Sequence, residues 1–251
     1  MNVARLNLTH CTHEWATKVI KDLRSYLNES QSSAEVAIWV DINGPKTRTG
    51  KLKNGGPFKL KSGQDFTFVA TTYTKKLLDV GDQIFIDDGL LSFTVTERLE
   101  NAIKCKVGNS GLLGENKGIN FPRHIIEDLP AVSDKDKEDI ALAIEQDVDF
   151  VSVSCIRNIH DVEAVRKLLG NSKVKLLAKI ENKRGMENYD SILNITDGIV
   201  IDRGYLGAEV DVELVTVAQK KMIGKANIAG KPILVANQIL ESMKHTPRPA
   251  R

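Results

Sequence analysis

Cysteine, aromatic residues and long apolar runs are all scarce in this sequence. Its 251 residues include three cysteines, Cys11, Cys105 and Cys155, with no CxxC pair. That count and spacing exclude a disulfide framework and a cysteine-rich zinc site, and they predict reduced thiols. No apolar run approaches the ~20 residues that cross a bilayer, and the opening stretch MNVARLNLTHCTHEW lacks the apolar core of a signal peptide. We expect a cytoplasmic protein that does not enter membranes.

A strong charge of either sign is also missing. The formal net charge is +2, with 35 basic and 33 acidic residues interleaved along the chain. Such a balance gives no field that would attract nucleic acid or an anionic membrane, so neither is expected as a partner. The lysines of KLKNGGPFKLK (51–61) are interpreted as the solvated face of a hairpin.

The sequence does contain a repeated order of buried strand and amphipathic helix. Continuous apolar, β-branched runs are typical of parallel strands buried on both faces. These runs are EVAIWVDI (35–42), VDFVSVSCI (148–156), VKLLAKIE (174–181), DGIVID (197–202) and KPILVAN (231–237). Helices are predicted over 135–146, 161–170, 185–194 and 212–230, with Ser133 as an N-cap and Gly170 and Gly230 as C-caps. This order predicts an α/β fold with right-handed crossovers, either a barrel or an open wound sheet.

Residues 44–128 interrupt this order. Short strand-like segments alternate there with turn sequences such as NGG (54–56) and DDG (87–89), and no long helix is predicted. We therefore predict three parts: residues 1–43 begin the α/β domain, residues 44–128 form a small inserted all-β domain, and residues 129–251 complete the α/β domain.

Polar residues stand at the carboxyl ends of the predicted strands, where parallel sheets bind ligands. They are Asp41, Lys179 with Glu181, the turn at 202–207, and Asn237. Lys179 is the most informative, because it lies inside an apolar run and a buried charge is costly unless it is paired or used. Two interpretations are open for it at this point, a functional role and a structural ion pair with Glu181.

Several longer motifs together resemble the pyruvate kinase family. They are MNVARLNLTH, INGPKTRTG, IDDGLLS, NSGLLGENKGINFP, LPAVSDKDKEDI, AKIEN, DGIVIDRGYLG, AQKKMIGKANIAGKPILVANQILESM and PRPAR, in an order and spacing that cover almost the whole chain. The resemblance implies a (β/α)8 TIM-type barrel with a small all-β lid domain inserted after its third strand. It also implies transfer of phosphate from phosphoenolpyruvate to ADP, giving pyruvate and ATP, with Mg²⁺ or Mn²⁺ and K⁺ as cofactors.

The resemblance further implies roles for individual residues. Phosphoryl transfer depends mainly on positioning and charge neutralisation, and the family's catalytic lysine and arginine match Lys179 and Arg5. Glu181 matches one carboxylate of the Mg²⁺ site. The remaining matches are Gly204, Asn237 and Ser154 for the substrate, His10, Arg48 and Lys117 for the nucleotide, and Asn7, Thr9, Asp41 and Ile42 for the monovalent cation.

The sequence departs from the family pattern at several positions. The family turn reads Ala-Arg-Gly-Asp-Leu-Gly, with its aspartate as the second metal ligand, whereas this chain has Asp202 in place of the alanine and Tyr205 in place of the aspartate. A phenol, with a pKa of about 10, is a poor Mg²⁺ ligand near neutral pH, and Asp202 is the candidate replacement. Asn237 stands for a threonine, Lys46 for a glutamate and Cys155 for a phenylalanine. These departures predict impaired catalysis.

The predicted strands match the second to the seventh of the family's eight. We therefore expect an incomplete barrel with two exposed parallel edges, which favour aggregation or pairing with another chain. Three hypotheses follow. The chain is a working pyruvate kinase or the catalytic part of one, a catalytically weak or inactive paralogue that binds as a homo- or hetero-oligomer partner of an active pyruvate kinase, or a truncated product without a stable fold.

Overall fold

A computed structural model describes residues 1–30, 35–52, 55–69, 78–122, 124, 129–237 and 239–247. The contacts divide the chain into two compact units. The first comprises Met1–Pro45, Pro130–Asp202 and Ala218–Ala236, and the second comprises Lys46–Leu129, Arg203–Val217 and Asn237–Arg251. The second unit thus takes in segments from the C-terminal half in addition to the predicted insert.

The described residues form thirteen strands, seven α-helices and one 3-10 turn. The strands are β1 (Val3–Asn7), β2 (Ala37–Ile42), β3 (Phe58–Leu60), β4 (Asp65–Val69), β5 (Gln83–Ile86), β6 (Leu91–Arg98), β7 (Ala102–Val107), β8 (Gly111–Leu113), β9 (Ile119–Asn120), β10 (Phe150–Val153), β11 (Lys175–Ile180), β12 (Gly198–Asp202) and β13 (Ile233–Ala236). The helices are α1 (His13–Glu29), α2 (Asp134–Glu145), α3 (Ile159–Leu169), α4 (Lys183–Glu187), α5 (Tyr189–Ile195), α6 (Arg203–Glu209) and α7 (Val212–Ile228), and the 3-10 turn is Glu241–Lys244.

The first unit is built on a six-stranded parallel sheet in the order β1-β2-β10-β11-β12-β13. Its four inner strands, β2, β10, β11 and β12, are buried at almost every position on both faces, and Val151, Ile180 and Ile201 are each fully buried, as expected for parallel strands. The predicted α/β fold with an incomplete barrel sheet is confirmed. Among the described residues, β1 and β13 are the two edges of this sheet.

The register of this sheet aligns the polar residues at its carboxyl end. Asp41 on β2 lies between Asn7 on β1 and Ser152 on β10. Farther along, Lys179 on β11 lies opposite Val200, and Ile180 lies opposite Ile201 on β12. Glu181 and Asp202 therefore leave neighbouring strands at the same level.

The second unit contains antiparallel sheets. β4-β7-β6-β5-β9 form a five-stranded sheet, and β3 pairs with β8. The burial of β6 alternates along the strand, as expected for a sheet with one covered face. Phe93 is fully buried at its centre, and the rings of Phe66 and Phe68 pack against it with centroid distances of 5.8 and 5.0 Å. The described part of the insert is thus an all-β structure with its own apolar core.

Three helical segments differ from the predictions. The helix α1 was not predicted at all, and the helix predicted over 185–194 is interrupted at Asn188, which ends α4 and precedes α5. The turn predicted over 202–207 is largely replaced by the helix α6, Arg203–Glu209. Other details agree: Ser133 caps α2 in a full capping box, and Gly170 ends α3 with a φ of 54°. No helix in the described part of the chain is long and apolar enough to span a membrane.

Candidate functional site

Lys179 is buried at the carboxyl end of the sheet and surrounded by acids. Its side chain is 5% exposed, and its Nζ lies 3.0 Å from Glu181 Oε1, 3.2 Å from Asp41 Oδ2 and 3.8 Å from Asp202 Oδ2. The same ammonium donates a hydrogen bond of 3.1 Å to Ser154 Oγ. The three acids come from the carboxyl ends of β2, β11 and β12 in one parallel sheet, in which β10 lies between β2 and β11, and they surround one cation.

The acids keep Lys179 charged. Burial by itself lowers the pKa of a lysine, because it removes water from the ammonium. Here the carboxylates of Glu181, Asp41 and Asp202 oppose that effect, and the pKa of Lys179 lies well above its usual value of 10.5. The group is a fixed positive charge in a dry environment.

Asp41 links this lysine to Arg5. Its Oδ2 accepts a hydrogen bond from Arg5 Nε at 3.1 Å and also contacts Arg5 Nη2. Arg5, whose side chain is 37% exposed, also lies over the Trp39 ring at 5.3 Å from the centroid. One buried carboxylate thus orients two cations at the rim of the sheet, which suits the binding of an oxyanion.

The acidic side of the cluster consists of Glu181 and Asp202, which are 0% and 2% exposed. Glu181 Oε2 also accepts a hydrogen bond from Cys155 Sγ at 3.1 Å. Two carboxylates on adjacent strands supply the donors that Mg²⁺ takes when substrate and water complete its shell, so these residues fit a divalent ion. No group of three or more His, Cys, Asp or Glu residues in the described ranges is arranged to hold one.

The residues predicted for the monovalent cation lie together beside Asp41. Asn7 is its register partner on β1, and the Thr9 backbone N–H donates to Asn7 Oδ1 at 3.0 Å. Ile42 follows Asp41 in β2, and its carbonyl accepts a hydrogen bond from Ser154 N at 3.4 Å. His10, which is exposed, donates its backbone N–H to the Asn7 carbonyl at 3.1 Å. A hard monovalent cation is coordinated by oxygen atoms, and the residues around the ends of β1 and β2 supply several of them.

The other two residues predicted to face the nucleotide are neighbours in the second unit. Arg48 pairs with Gly118 as an isolated antiparallel bridge, which places it beside Lys117. The Lys117 Nζ lies 2.9 Å from Asp87 Oδ2, and Arg48 Nη1 donates to the Asn116 carbonyl at 2.9 Å. The structure therefore places the backbones of these two residues on one short antiparallel bridge, and each cation has its own partner there.

Gly204 and Asn237, predicted to bind substrate, also belong to the second unit. Gly204 is buried in the first turn of α6, and Asn237 follows β13 with a φ of 61°. Ser154, the third residue predicted for the substrate, lies in the first unit beside Lys179. Tyr205 is 9% exposed, and Lys46 Nζ lies over its ring at 2.9 Å from the centroid.

Two residues that support the site were missed in the sequence. Ser152 Oγ donates to Asp41 Oδ1 at 2.7 Å and accepts from Trp39 Nε1 at the same distance. Gly44 has a φ of +62°, and a Cβ there would overlap the Ser154 carbonyl oxygen. The sequence feature that could have identified Ser152 is its position, because it is a polar residue inside an apolar strand, as Lys179 is.

Comparison with known proteins agrees with these features. A family model described as "Pyruvate kinase, barrel domain" matches residues 1–251. The pyruvate kinase of Dictyostelium discoideum is 41% identical over 270 residues, which cover 100% of this chain and 53% of the relative. "Pyruvate kinase PKLR" of Homo sapiens is 38% identical over 276 residues (100% and 48%). "Pyruvate kinase, cytosolic isozyme" of Glycine max is 38% identical over 271 residues (100% and 52%).

The chain spans about half the length of these relatives. The match nevertheless covers the whole chain, both the parallel sheet with its buried lysine and the all-β insert. The chain belongs to the pyruvate kinase family.

Proposed function

We propose that this chain carries a site for phosphoryl transfer from phosphoenolpyruvate to ADP, giving pyruvate and ATP, and that its turnover is impaired. The observation that carries the proposal is the buried Lys179 ammonium, held by Asp41, Glu181 and Ser154 with Arg5 beside it. An ion pair with a structural role alone would not require three carboxylates around one lysine. The names of the relatives support the same reaction.

In this proposal the two cations act on the migrating phosphoryl group. Such a group spreads negative charge over its equatorial oxygens, and fixed positive charges stabilise it most where water is excluded. Lys179 is fixed by three acids, so it needs little reorganisation when substrate binds. Arg5 is more exposed and reaches outward from Asp41, which suits first contact with a phosphate.

Glu181 and Asp202 are the residues that would hold Mg²⁺ or Mn²⁺, and Asn7, Thr9, Asp41 and Ile42 would hold K⁺. When bound, a divalent ion would neutralise part of the negative charge of the reacting substrate. The chain buries these carboxylates away from water, and Lys179 and Cys155 orient Glu181 through an ion pair and a hydrogen bond. Relatives that include a cytosolic isozyme support a cytosolic location.

Turnover is impaired because the acidic donor of the family turn is replaced. The Tyr205 ring faces Lys46 and offers no carboxylate. Asp202 returns one negative charge, but it does so beside Lys179, where it competes with the anionic substrate for the ammonium. Loss of one oriented electrostatic group costs about 10²–10³ in rate.

The test is pyruvate formation from phosphoenolpyruvate and ADP with Mg²⁺ or Mn²⁺ and K⁺. We expect turnover at least ~10²-fold below that of an active full-length relative. Lys179→Met should abolish what remains, whereas Lys137→Met, at an exposed position of α2, should change nothing. Ordinary turnover would refute the impairment, and residual turnover unaffected by Lys179→Met would refute the assigned role of the lysine.

A second readout does not depend on turnover. Binding of Mn²⁺, followed by its electron paramagnetic resonance signal, should be weak in the chain alone and strengthened by oxalate, because two protein carboxylates leave most of the shell to other oxygens. Glu181→Gln should remove the strengthened binding. Equal Mn²⁺ binding by this variant would exclude Glu181 as a ligand.

The alternative function is binding to an active pyruvate kinase subunit without turnover. The observation that favours it is that β1 and β13 each pair with one strand only among the described residues, because a parallel edge strand can accept another chain.

A further inference from the structure

Two departures from the family pattern contact one another in the second unit. Lys46 stands for a glutamate and Tyr205 for an aspartate, and the lysine ammonium lies over the tyrosine ring at 2.9 Å from its centroid. A cation over an aromatic face is a stabilising contact, and more so when it is partly desolvated. Tyr205 is 9% exposed. The two substitutions are therefore complementary, since neither residue makes this contact without the other.

The hydroxyl end of Tyr205 lies against Gly118. A Cβ on this glycine would overlap the hydroxyl oxygen and the adjoining ring carbons of Tyr205. Only a residue without a side chain leaves room for the phenol here, so the glycine allows the ring to approach the backbone closely.

Gly118 belongs to the ladder that carries the two predicted nucleotide-facing cations. Ile119 N donates to the Thr47 carbonyl at 2.9 Å, and Thr49 N donates to the Lys117 carbonyl at 2.8 Å. Between these two bonds, Arg48 is bridged to Gly118. We call residues 47–49 with 117–119 the cation ladder.

A second contact holds the same face of α6 to the end of this ladder. Glu209 lies four residues after Tyr205, one helical turn along the same face. Its Oε1 accepts a hydrogen bond of 2.7 Å from Asn120 Nδ2. Asn120 is 3% exposed, so this bond is shielded from water. The helix α6 is therefore held at two points, by Tyr205 at Gly118 of the ladder and by Glu209 at Asn120, just after the ladder.

We propose that Tyr205 is a positioning residue that docks α6 on the cation ladder and thereby fixes Arg48 and Lys117 for a nucleoside diphosphate. This inference rests on the proposed function, because that function gives the two cations their ligand. The aspartate-to-tyrosine exchange then replaces a metal donor by a packing contact that favours nucleotide binding. Lys46 contributes to the same contact, as the cation that lies over the ring.

The docking contact is tested by hydrogen exchange in the full chain. Tyr205→Ala should raise the exchange rate of amides in 117–120 and 203–209 by about tenfold, because opening of the ladder no longer requires removal of the ring. Lys46→Met should give a smaller increase, and Tyr205→Phe should preserve protection because the ring remains. Tyr26→Ala, at a tyrosine that is 68% exposed on α1, is the matched control and should leave these amides unchanged.

The positioning role is tested by calorimetric titration with ADP. Tyr205→Ala should raise the Kd for ADP by about 3- to 30-fold, because the loss of a partly desolvated aromatic–cation contact costs a free energy that corresponds to this range. Gly118→Ala should raise the Kd to a similar extent. Tyr205→Phe should keep the Kd within about twofold of the value for the unaltered chain.

The outcomes of the two experiments distinguish a failure of this inference from a failure of the proposed function. Unchanged exchange in Tyr205→Ala overturns the docking contact. Faster exchange with an unchanged Kd overturns the positioning role and leaves α6 as a structural clamp. Absence of ADP binding by the unaltered chain overturns the nucleotide role of Arg48 and Lys117, and with it this positioning role, whereas the exchange experiment still decides the contact of Tyr205.

Discussion

Asp41 is the residue on which the arrangement of both cations depends. It is 1% exposed, and it contacts Arg5, Lys179 and Ser152. Asp41→Asn should lower the free energy of unfolding by about 2–4 kcal/mol, because a buried ammonium loses part of its compensation. Urea denaturation followed by circular dichroism measures this.

The control for this prediction is Asp65→Asn. Asp65 also pairs with a lysine, at 3.5 Å from Lys106, but its side chain is 85% exposed, so its loss should change stability by less than about 0.5 kcal/mol. Equal effects of the two substitutions would mean that burial does not decide the contribution of Asp41.

The three thiols should differ in reactivity. Cys105 is fully buried in the core of the all-β insert, and this burial raises the pKa of its thiol to about 12. The thiolate is the reactive form, so iodoacetamide at pH 8 should leave Cys105 unmodified in the folded chain. Cys11 and Cys155 are half-buried and should be alkylated first. Mass spectrometry of the peptides checks the order, and early labelling of Cys105 would contradict the burial.

At the residue scale, the sequence indicated the centre of the site better than its supports. Lys179 could be recognised because a charge inside an apolar strand is unusual. Ser152 occupies a similar place in its strand, but burying a serine costs much less free energy than burying a charge, so its presence there does not indicate a functional site. Its role appears only when the register places it beside Asp41.

Among the elements, α2 offers the clearest test of local sequence chemistry. The Ser133 hydroxyl accepts from Asp136 N, and the Asp136 carboxylate accepts from Ser133 N at 2.9 Å. Ser133→Ala should cost about 1 kcal/mol of unfolding free energy. Ser30→Ala is the control, because its hydroxyl makes a 3.3 Å bond to Leu27 O at the exposed end of α1 and should cost little. Similar thermal shifts for both would contradict the capping role.

The two helices that were not predicted, α6 and α1, were missed for different reasons. In α6, Gly204 and Gly207 are poor helix formers, which is why a turn was expected. Tyr205, Leu206 and Ala208 are all buried, and their packing outweighs the local preference. In α1, by contrast, Ala16, Ile20, Leu23 and Leu27 recur at helical spacing after the N-cap Thr12, so the sequence contained a signal for this helix that was missed.

At the scale of the whole molecule, the two edges that β1 and β13 form in the described part of the parallel sheet predict self-association. Val3 on the edge strand β1 is 37% exposed. Val3→Lys should reduce association in size-exclusion chromatography at high concentration, because a charge on an edge strand opposes pairing. Ile228→Lys, at a helical residue that is 90% exposed, removes apolar surface away from the edge. If only Ile228→Lys reduced association, an exposed apolar patch and not strand pairing would be the cause of the association.

The same edges give the test of the binding alternative. The chain mixed with an active full-length relative should elute earlier than either component if it binds as a partner subunit. Val3→Lys should weaken that shift. Unchanged elution of both proteins at micromolar concentration would exclude the hetero-oligomer function.

The hydrogen bond from Trp39 to Ser152 has a practical consequence for spectroscopy. The chain has two tryptophans, and Trp15 is 51% exposed whereas Trp39 is 7% exposed. In a Trp15→Phe background, the remaining indole has the Arg5 guanidinium over its ring and is joined to Asp41 through Ser152. Its emission wavelength and intensity should therefore follow the charge state of the anion site directly, so that phosphoenolpyruvate binding can be titrated optically without any label.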